Sequence, residues 1–409
     1  MLSFLRRHHF LVFFVLLTNI MGISIGMAKV STTLLALQLG ADASLQGLIA
    51  SAQSIGVVIM SIPIGFMMDR AGPGRLFIVG SLLVGAIYLL LPLMTTPWAV
   101  LFATAMVSLF MPMRFVSLNA VFMAELETLG ESKAGWYRGS HMTGMFLIGP
   151  VLAAIAVEAL GFVGTFWSIV ALFAVSILLS PTVFRHYQRR TIPPAAAAPA
   201  YKITARLALL FRDEELRRVG LIEFCAQSIN AFYIFFILII AINQLHMAPL
   251  PASHLIGING GAYIFALLFL GKTVQRVGHE LGYLLSFSAA LLALLMLGLG
   301  QQLLWLMVGG ALLGLCLGTL QIITLTRFAR LSTRLGRGEV SGVSSLMGPS
   351  GSFFGSLIGG FIGQHFGLQP VFLFFILPVV LMVAWTASQW RQQQLTLATL
   401  PSTEEECHS

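Results

Sequence analysis

Long apolar segments recur along the whole chain and limit its fold more than any other feature. Most approach the roughly 20 helical residues that a bilayer requires. Only 9% of the residues are charged, against roughly a quarter in soluble domains. The segments are continuously apolar rather than alternating, which favours helices over barrel strands. We therefore predict an all-α integral membrane protein with twelve transmembrane helices, near residues 10–35, 45–68, 75–95, 98–120, 138–160, 162–181, 219–243, 253–273, 282–300, 303–326, 341–363 and 369–389.

Basic residues are distributed unevenly between the predicted loops. Apart from Lys29 and Arg114, they fall at the amino terminus, in alternate loops or after the last span, whereas the intervening loops contain none. By the positive-inside rule, both termini and the long central loop are predicted to be cytoplasmic. The net charge of +8 then reflects topology and gives no reason to expect a nucleic-acid partner. We expect a multi-pass protein of a cell membrane, specifically a bacterial inner membrane, since no N-glycosylation sequon occurs.

A short pattern, G-x-x-x-[D/Q]-R-x-G, occurs twice at an offset of 206 residues. Its fixed positions are Gly65, Asp69, Arg70 and Gly72 in the first copy and Gly271, Gln275, Arg276 and Gly278 in the second. Each copy follows the second span of a set of six, which indicates two halves repeated in the same orientation. The predicted domains are an N-terminal six-helix bundle (1–183), a cytoplasmic linker (184–216), a C-terminal six-helix bundle (217–390) and a cytoplasmic tail (391–409).

The segment from Gly65 to Arg75 resembles the loop 2–3 signature of the major facilitator superfamily, and the second copy resembles its degenerate repeat. The resemblance covers nearly the whole chain and implies a drug- or metabolite-proton antiporter-like transporter, not an enzyme. It also implies a gating role for both copies, with Asp69 latching onto the start of span 11 near Glu339; simple turn chemistry is the alternative. Pro73 and Gly74 replace basic residues of the family pattern, so the charge network of this gate is expected to be thinner.

Span 5 contains a second family-like segment around Gly149 and Pro150. It is similar to the antiporter signature of the superfamily, although Ala153 and Ala154 stand in place of its paired glycines. A proline frees a backbone carbonyl and kinks a helix, and small neighbours let another helix pack into the bend. The resemblance implies antiport, while a purely structural proline is the alternative.

Lys29, Arg114 and Glu223 are charged residues inside the predicted spans, where charges are costly and usually line a water-filled path. Lys29 either faces a central cavity or reaches the outer membrane surface. Arg114 resembles the arginine of the family's span 4 signature, which implies proton coupling or substrate binding; reaching the inner surface is the alternative. Glu223 is either a proton-carrying carboxylate in the cavity or a partner of Arg217 or Arg218.

Uncharged polar residues in the spans complete the predicted site. Asn119, Gln227 and Asn230 are candidates for binding substrate or coupling protons, and bonding between helices is the alternative for each. The three cysteines offer no pairing or metal-ligand pattern, so we expect no metal site and no other cofactor.

The function that this sequence predicts is secondary transport. No ATP-binding loop or nucleophile elbow occurs, so the energy is expected to come from protons. We predict export of a small organic solute carrying anionic groups, such as a metabolite or siderophore-like chelator, by a monomer working through alternating access. Proton-coupled import of an organic anion is the first alternative, and a non-transporting sensor or scaffold is the second.

Overall fold

The computed structural model describes residues 9–60, 63–129, 139–188, 212–335 and 337–399, and the regular elements within these ranges are all helical. Ten of the described segments are long and apolar enough to cross a membrane. One of them, Gly139–Phe184, is broken at Gly161 (φ 65°, ψ −176°) and supplies two spans. The 30-residue helix Arg337–Phe366 supplies one more. The described chain therefore confirms the predicted fold of twelve spans.

The first half contains six spans, and a short helix follows the second of them. The elements are α1 (His9–Gln38), α2 (Ala43–Met60), α3 (Pro63–Ala71), α4 (Pro73–Leu90), α5 (Pro97–Leu129) and the helix Gly149–Gln188, which Gly161 divides into α6 (149–160) and α7 (162–188). A π-helical turn, Thr143–Ile148, precedes α6.

The second half repeats this arrangement. Its elements are α8 (Glu214–Leu245), α9 (Pro249–Phe269), α10 (Gly271–Val277), α11 (His279–Leu299), α12 (Leu303–Leu335), α13 (Arg337–Phe366), α14 (Val371–Phe374) and α15 (Ile376–Thr399). Because α7 continues to residue 188 and α8 begins at Glu214, helix extends a few residues into both ends of the segment predicted as the linker.

The two copies of the repeated pattern have the same backbone structure. Gly72 follows α3 with φ 76° and ψ 154°, and Gly278 follows α10 with φ 88° and ψ 156°. The amide of each glycine donates to a carbonyl four residues earlier, that of Met68 at 2.9 Å or Val274 at 3.0 Å. Glycine adopts such positive φ values without a steric penalty. This shared turn gives a physical reason for the final glycine of both copies.

Close helix contacts in the second half depend on glycine. A Cβ atom on Gly355 of α13 would lie 2.3 Å from the carbonyl oxygen of Ser228 on α8. A Cβ atom on Gly314 of α12 would lie 2.1 Å from the carbonyl oxygen of Asn259 on α9. Small residues let membrane helices approach in this way, so the backbones of these pairs meet directly.

One close contact between the two halves lies at one end of the molecule. There, a Cβ atom on Gly360 of α13 would lie 2.4 Å from the Cα atom of Gly47 on α2. Beside this contact, the amide of Ser44 donates to Oε1 of Gln364 across 3.4 Å. This end carries the turns at residues 39–42 and 367–370, which the charge distribution predicts to face outward. The structure is thus closed at the predicted outer end.

We expect Gly360→Ala to weaken this closure, because the new methyl group cannot fit against the Gly47 backbone without moving α2 or α13. Spin labels at Thr95 and Gln301, exposed residues at this end of the two halves, report the separation in a background without native cysteines. The variant should add a population at longer distance. Gly85→Ala is the matched control, since a Cβ atom there meets nothing within 4 Å. Identical distance distributions in both variants would contradict the proposed contact.

Candidate functional site

A cavity of about 210 Å³ lies between the two halves. Helices α1, α2 and α6, with the π-helical turn, form its wall on one side, and α8, α9, α12 and α13 form the other. Polar residues of both halves line it, among them Lys29, Gln53, Ser54, Glu223, Gln227 and Asn230. The cavity therefore combines a cation from the first half with a carboxylate from the second.

Lys29 projects from α1 into this cavity and is half-buried. Within the described part of the chain, no carboxylate lies within 4.0 Å of its ammonium group. The structure thus places Lys29 in the cavity wall rather than at the outer lipid surface. An ammonium group held there is available to an anionic group of a solute.

Glu223 is buried on α8 and lines the same cavity. Nε2 of Gln227, one turn later, donates to Oε1 of Glu223 at 3.1 Å and to Oε1 of Gln321 on α12 at 3.1 Å. The hydroxyl of Tyr263 on α9 donates to the same Gln321 oxygen at 3.3 Å. These bonds connect three helices and orient the carboxylate.

The π-helical turn Thr143–Ile148 brings span 5 to the cavity. Its widened geometry is seen in the amide of Gly149, which donates to the carbonyl of Gly144, five residues earlier. Pro150 follows directly, and because proline has no N–H it cannot continue the regular α-helical bonding. Such π-helical turns are frequent at functional sites. Here the turn places Phe146 in the cavity wall beside Pro150.

Glycines on α1 let the π-helical turn pack directly against this helix. A Cβ atom on Gly26 would lie 2.4 Å from the carbonyl oxygen of Met145, and one on Gly149 would lie 2.8 Å from the Cα atom of Gly26. One turn earlier, a Cβ atom on Gly22 would lie 2.2 Å from the carbonyl oxygen of His141. Backbone contact between the two helices therefore fixes the turn against the helix that carries Lys29.

Arg114 lies apart from the cavity, fully buried within the first half. Its Cζ atom lies 3.8 Å from the ring centroid of Phe173 and 5.4 Å from that of Phe77. Nη1 reaches the sulfur of Met111 at 3.9 Å, whereas Nε and Nη2 have no hydrogen-bond partner within the described chain. Asn119, on the same helix, is exposed and does not line the cavity either.

Four of the six predicted coupling or substrate residues thus share one cavity: Lys29, Glu223, Gln227 and Asn230. The predicted latch between Asp69 and the start of span 11 involves side chains outside the described part of the structure. Arg70, Gln275 and Arg276 are exposed at the ends of α3 and α10.

A cluster of charges in the second half, buried at Arg218 and Glu280, was missed by sequence reasoning. Nη1 of Arg218 donates to Glu280 at 3.1 Å, and Arg218 makes a second contact with this carboxylate. Arg327 of α12 also pairs with Glu280 and with Glu215 of α8, the latter at 2.9 Å. We call these four residues the Glu280 cluster. Arg218, one of the two arginines suggested as a partner of Glu223, thus contacts Glu280 on α11.

Comparison with known proteins gives a family match along most of the chain. The sequence profile of the Major Facilitator Superfamily matches residues 12–237 and 219–394. The multidrug resistance protein MdtG of Salmonella choleraesuis (strain SC-B67) is 32% identical over 120 residues. The matched stretch is 29% of this chain and only 28% of the length of that relative.

Solved transporter structures share the fold over nearly their full length. The nucleoside transporter NupG superposes with a TM-score of 0.71 at 15% identity, covering 93% of this chain and 99% of NupG. The human organic anion transporter MFSD10 superposes with a TM-score of 0.64 at 16% identity, covering 92% and 99%. At these identities the likeness establishes the fold alone.

Proposed function

Because this chain belongs to the Major Facilitator Superfamily, we propose that it exports a small organic solute in exchange for protons. The proposal is carried by one observation, namely that Lys29 and Glu223 face a single cavity from opposite halves. Alternating access requires a binding site between two rigid units that rock against each other. The cavity lies at such a position, closed on the predicted outer side by the Gly47–Gly360 contact.

Glu223 is the proposed proton carrier. It is the carboxylate that lines the cavity among the described residues, and ionisable groups inside a membrane protein usually serve ion or proton pathways. The hydrogen bond from Gln227 orients this carboxylate at the site. Lys29 is the proposed partner of an anionic group on the solute, which agrees with the organic solute predicted from the sequence.

Export by antiport is the proposed direction. The Gly149–Pro150 segment resembles the antiporter signature, and the π-helical turn before it contacts both α1 and the cavity. MdtG is named a multidrug resistance protein, which fits export. The Salmonella relative also supports a bacterial inner membrane, with both termini proposed to be cytoplasmic.

The proposal can be tested with the full-length protein in liposomes that contain a pH-sensitive dye. Organic anions and cationic drugs are added in turn while the lumenal pH is followed. We expect a compound with an anionic group to drive proton movement, in a direction opposite to its own. Proton movement driven by none of the compounds would contradict the proposed coupling, and co-movement of solute and proton would favour the importer.

Arg114→Met should separate coupling from binding. Since the guanidinium lies outside the cavity, we expect solute binding to change less than about threefold, within roughly 0.7 kcal/mol. If Arg114 acts in proton coupling, as its position in the span 4 signature implies, solute-driven proton flux should fall at least tenfold. Binding measured on purified protein and flux measured in liposomes decide this together. An equal loss of both would assign Arg114 to structure rather than coupling.

A further inference from the structure

We infer that the transported solute is a compact zwitterion, with an anionic group at Lys29 and a cationic group at Glu223. This inference rests on the proposed function and narrows its substrate class. The sequence predicted two cations, Lys29 and Arg114, and one candidate carboxylate, Glu223, at the site, and this excess of positive charge would suit an anionic solute. The structure instead places one cation and one carboxylate in the cavity wall.

The charged residues that line the cavity favour a zwitterionic solute. Within the described residues, Lys29 and Glu223 are the residues of opposite charge that line the cavity. A purely anionic solute would satisfy Lys29 but would bring further negative charge into a confined site beside Glu223. A charge held away from water needs an opposite charge or several hydrogen bonds to offset its desolvation. A zwitterion provides the complementary charge for both groups.

The size of the cavity and its neutral polar groups favour a small solute. The volume of about 210 Å³ lies below the roughly 300–1,000 Å³ typical of sites for drug-sized ligands. The amides of Gln53, Gln227 and Asn230 line the same space, and each amide can both donate and accept hydrogen bonds. The site thus fits a small solute with mixed polarity better than a bulky apolar drug.

The placement of the two charges also suggests how binding drives the transport cycle. Lys29 belongs to the first half and Glu223 to the second, so a solute bound to both connects the halves. A ligand shifts a conformational equilibrium only through different affinities for the two states. A bridging zwitterion would favour the states in which both charges reach it at once.

Exchange with protons follows from the same carboxylate. When Glu223 is protonated it is neutral and loses most of its attraction for a cationic group, so proton and solute compete for it. The titratable side chains that line the cavity within the described chain are Lys29, Tyr263 and Glu223. Competition at one group makes the proton and the solute alternate, which is the requirement for antiport.

The test uses α-amino acids as zwitterions, their N-acetyl derivatives as anions and their methyl esters as cations. Binding to the full-length purified protein is measured as protection against thermal unfolding. We expect the amino acids to protect wild-type protein at concentrations at least tenfold lower than either derivative. Glu223→Gln should remove the preference over N-acetyl derivatives, and Lys29→Gln should remove the preference over methyl esters. Lys29→Arg and Glu223→Asp, which keep the charges, should restore the wild-type order.

Different results separate this inference from the proposed function. Binding of N-acetyl derivatives at least as tightly as the parent amino acids would overturn the zwitterion and leave anion transport intact. Tightest binding of the esters would overturn both the zwitterion and the anionic solute. If no compound of the three sets binds, the zwitterion inference falls, whereas the organic anions and cationic drugs of the liposome assay decide the proposed function.

Discussion

Glu280→Gln is expected to destabilise the folded protein by roughly 3–5 kcal/mol, the usual cost of removing one partner from a buried ion pair. Glu280 is the carboxylate that both Arg218 and Arg327 contact. The side chain of Arg218 is only 8% exposed, so little water is available to compensate it after the change. Arg327 keeps its contact with Glu215, and the main loss is therefore expected at Arg218.

Unfolding can be followed with a thiol-reactive dye, since Cys225 and Cys316 are buried free cysteines. The control variant is Arg334→Ala, because the Arg334 side chain is 54% exposed, pairs with Asp213 at 2.7 Å and reaches Glu215 of the cluster only at 3.5 Å. Surface pairs of this kind contribute about 1 kcal/mol or less, so the stability of the control variant should be close to that of the wild-type protein. Equal, small effects of both variants would show that the Glu280 cluster behaves as an ordinary surface network.

The largest functional effects are expected from Lys29→Gln and Glu223→Gln. Each change leaves one charged group of the solute without its partner in the cavity. Loss of one partner from a buried, hydrogen-bonded charge pair costs about 2 kcal/mol or more, which corresponds to roughly 30-fold or more in affinity. Solute-driven proton flux at low solute concentration should fall by at least this factor in each variant. Glu223→Gln also removes the proposed proton carrier.

Glu158→Gln and Arg391→Gln are the matched controls, since both residues are exposed and each change removes one charge far from the cavity lining. Their flux should remain near that of wild type. Full flux in Lys29→Gln or Glu223→Gln would show that the substituted residue takes no part in the transport site. A loss of flux in the controls would show that the effect comes from overall charge rather than from the cavity.

Sequence reasoning predicted the fold well because the bilayer imposes it. The length of each apolar segment is set by membrane thickness, and the repeated glycines at Gly72 and Gly278 mark the same turn in both halves. The break at Gly161, which divides one long helix into two spans, was also within reach because two apolar segments met there. Contacts between the helices did not change the number or the order of the predicted spans.

The site was harder to predict because a continuously apolar helix does not show which of its faces turns inward. Lys29 and Arg114 looked equivalent in the sequence, yet Lys29 faces the cavity and Arg114 packs between Phe77 and Phe173. Glu223 could be assigned to the cavity only from the fold, which places it in the cavity wall beside Gln227 and Asn230. The one available signal for Glu280 was an acidic residue in the first turn of a helix directly after the glycine of the second copy.

The π-helical turn Thr143–Ile148 was also beyond sequence reasoning. Pro150 indicated a bend, but the turn also packs against α1 through the contact of Gly149 with Gly26. That contact joins residues more than 120 positions apart. The local sequence therefore indicated where span 5 departs from a regular α-helix, but not that the departure is a π-helical turn.

The most direct test of the whole account is accumulation of a labelled solute by liposomes under an imposed pH gradient, with the membrane potential clamped. The solute is the one that drives proton movement in the dye assay. Exchange of solute for protons predicts accumulation in the acidic compartment, whichever way the protein is inserted, and no accumulation with Glu223→Gln. Accumulation in the alkaline compartment, or accumulation that does not depend on pH, would contradict proton antiport through the central cavity.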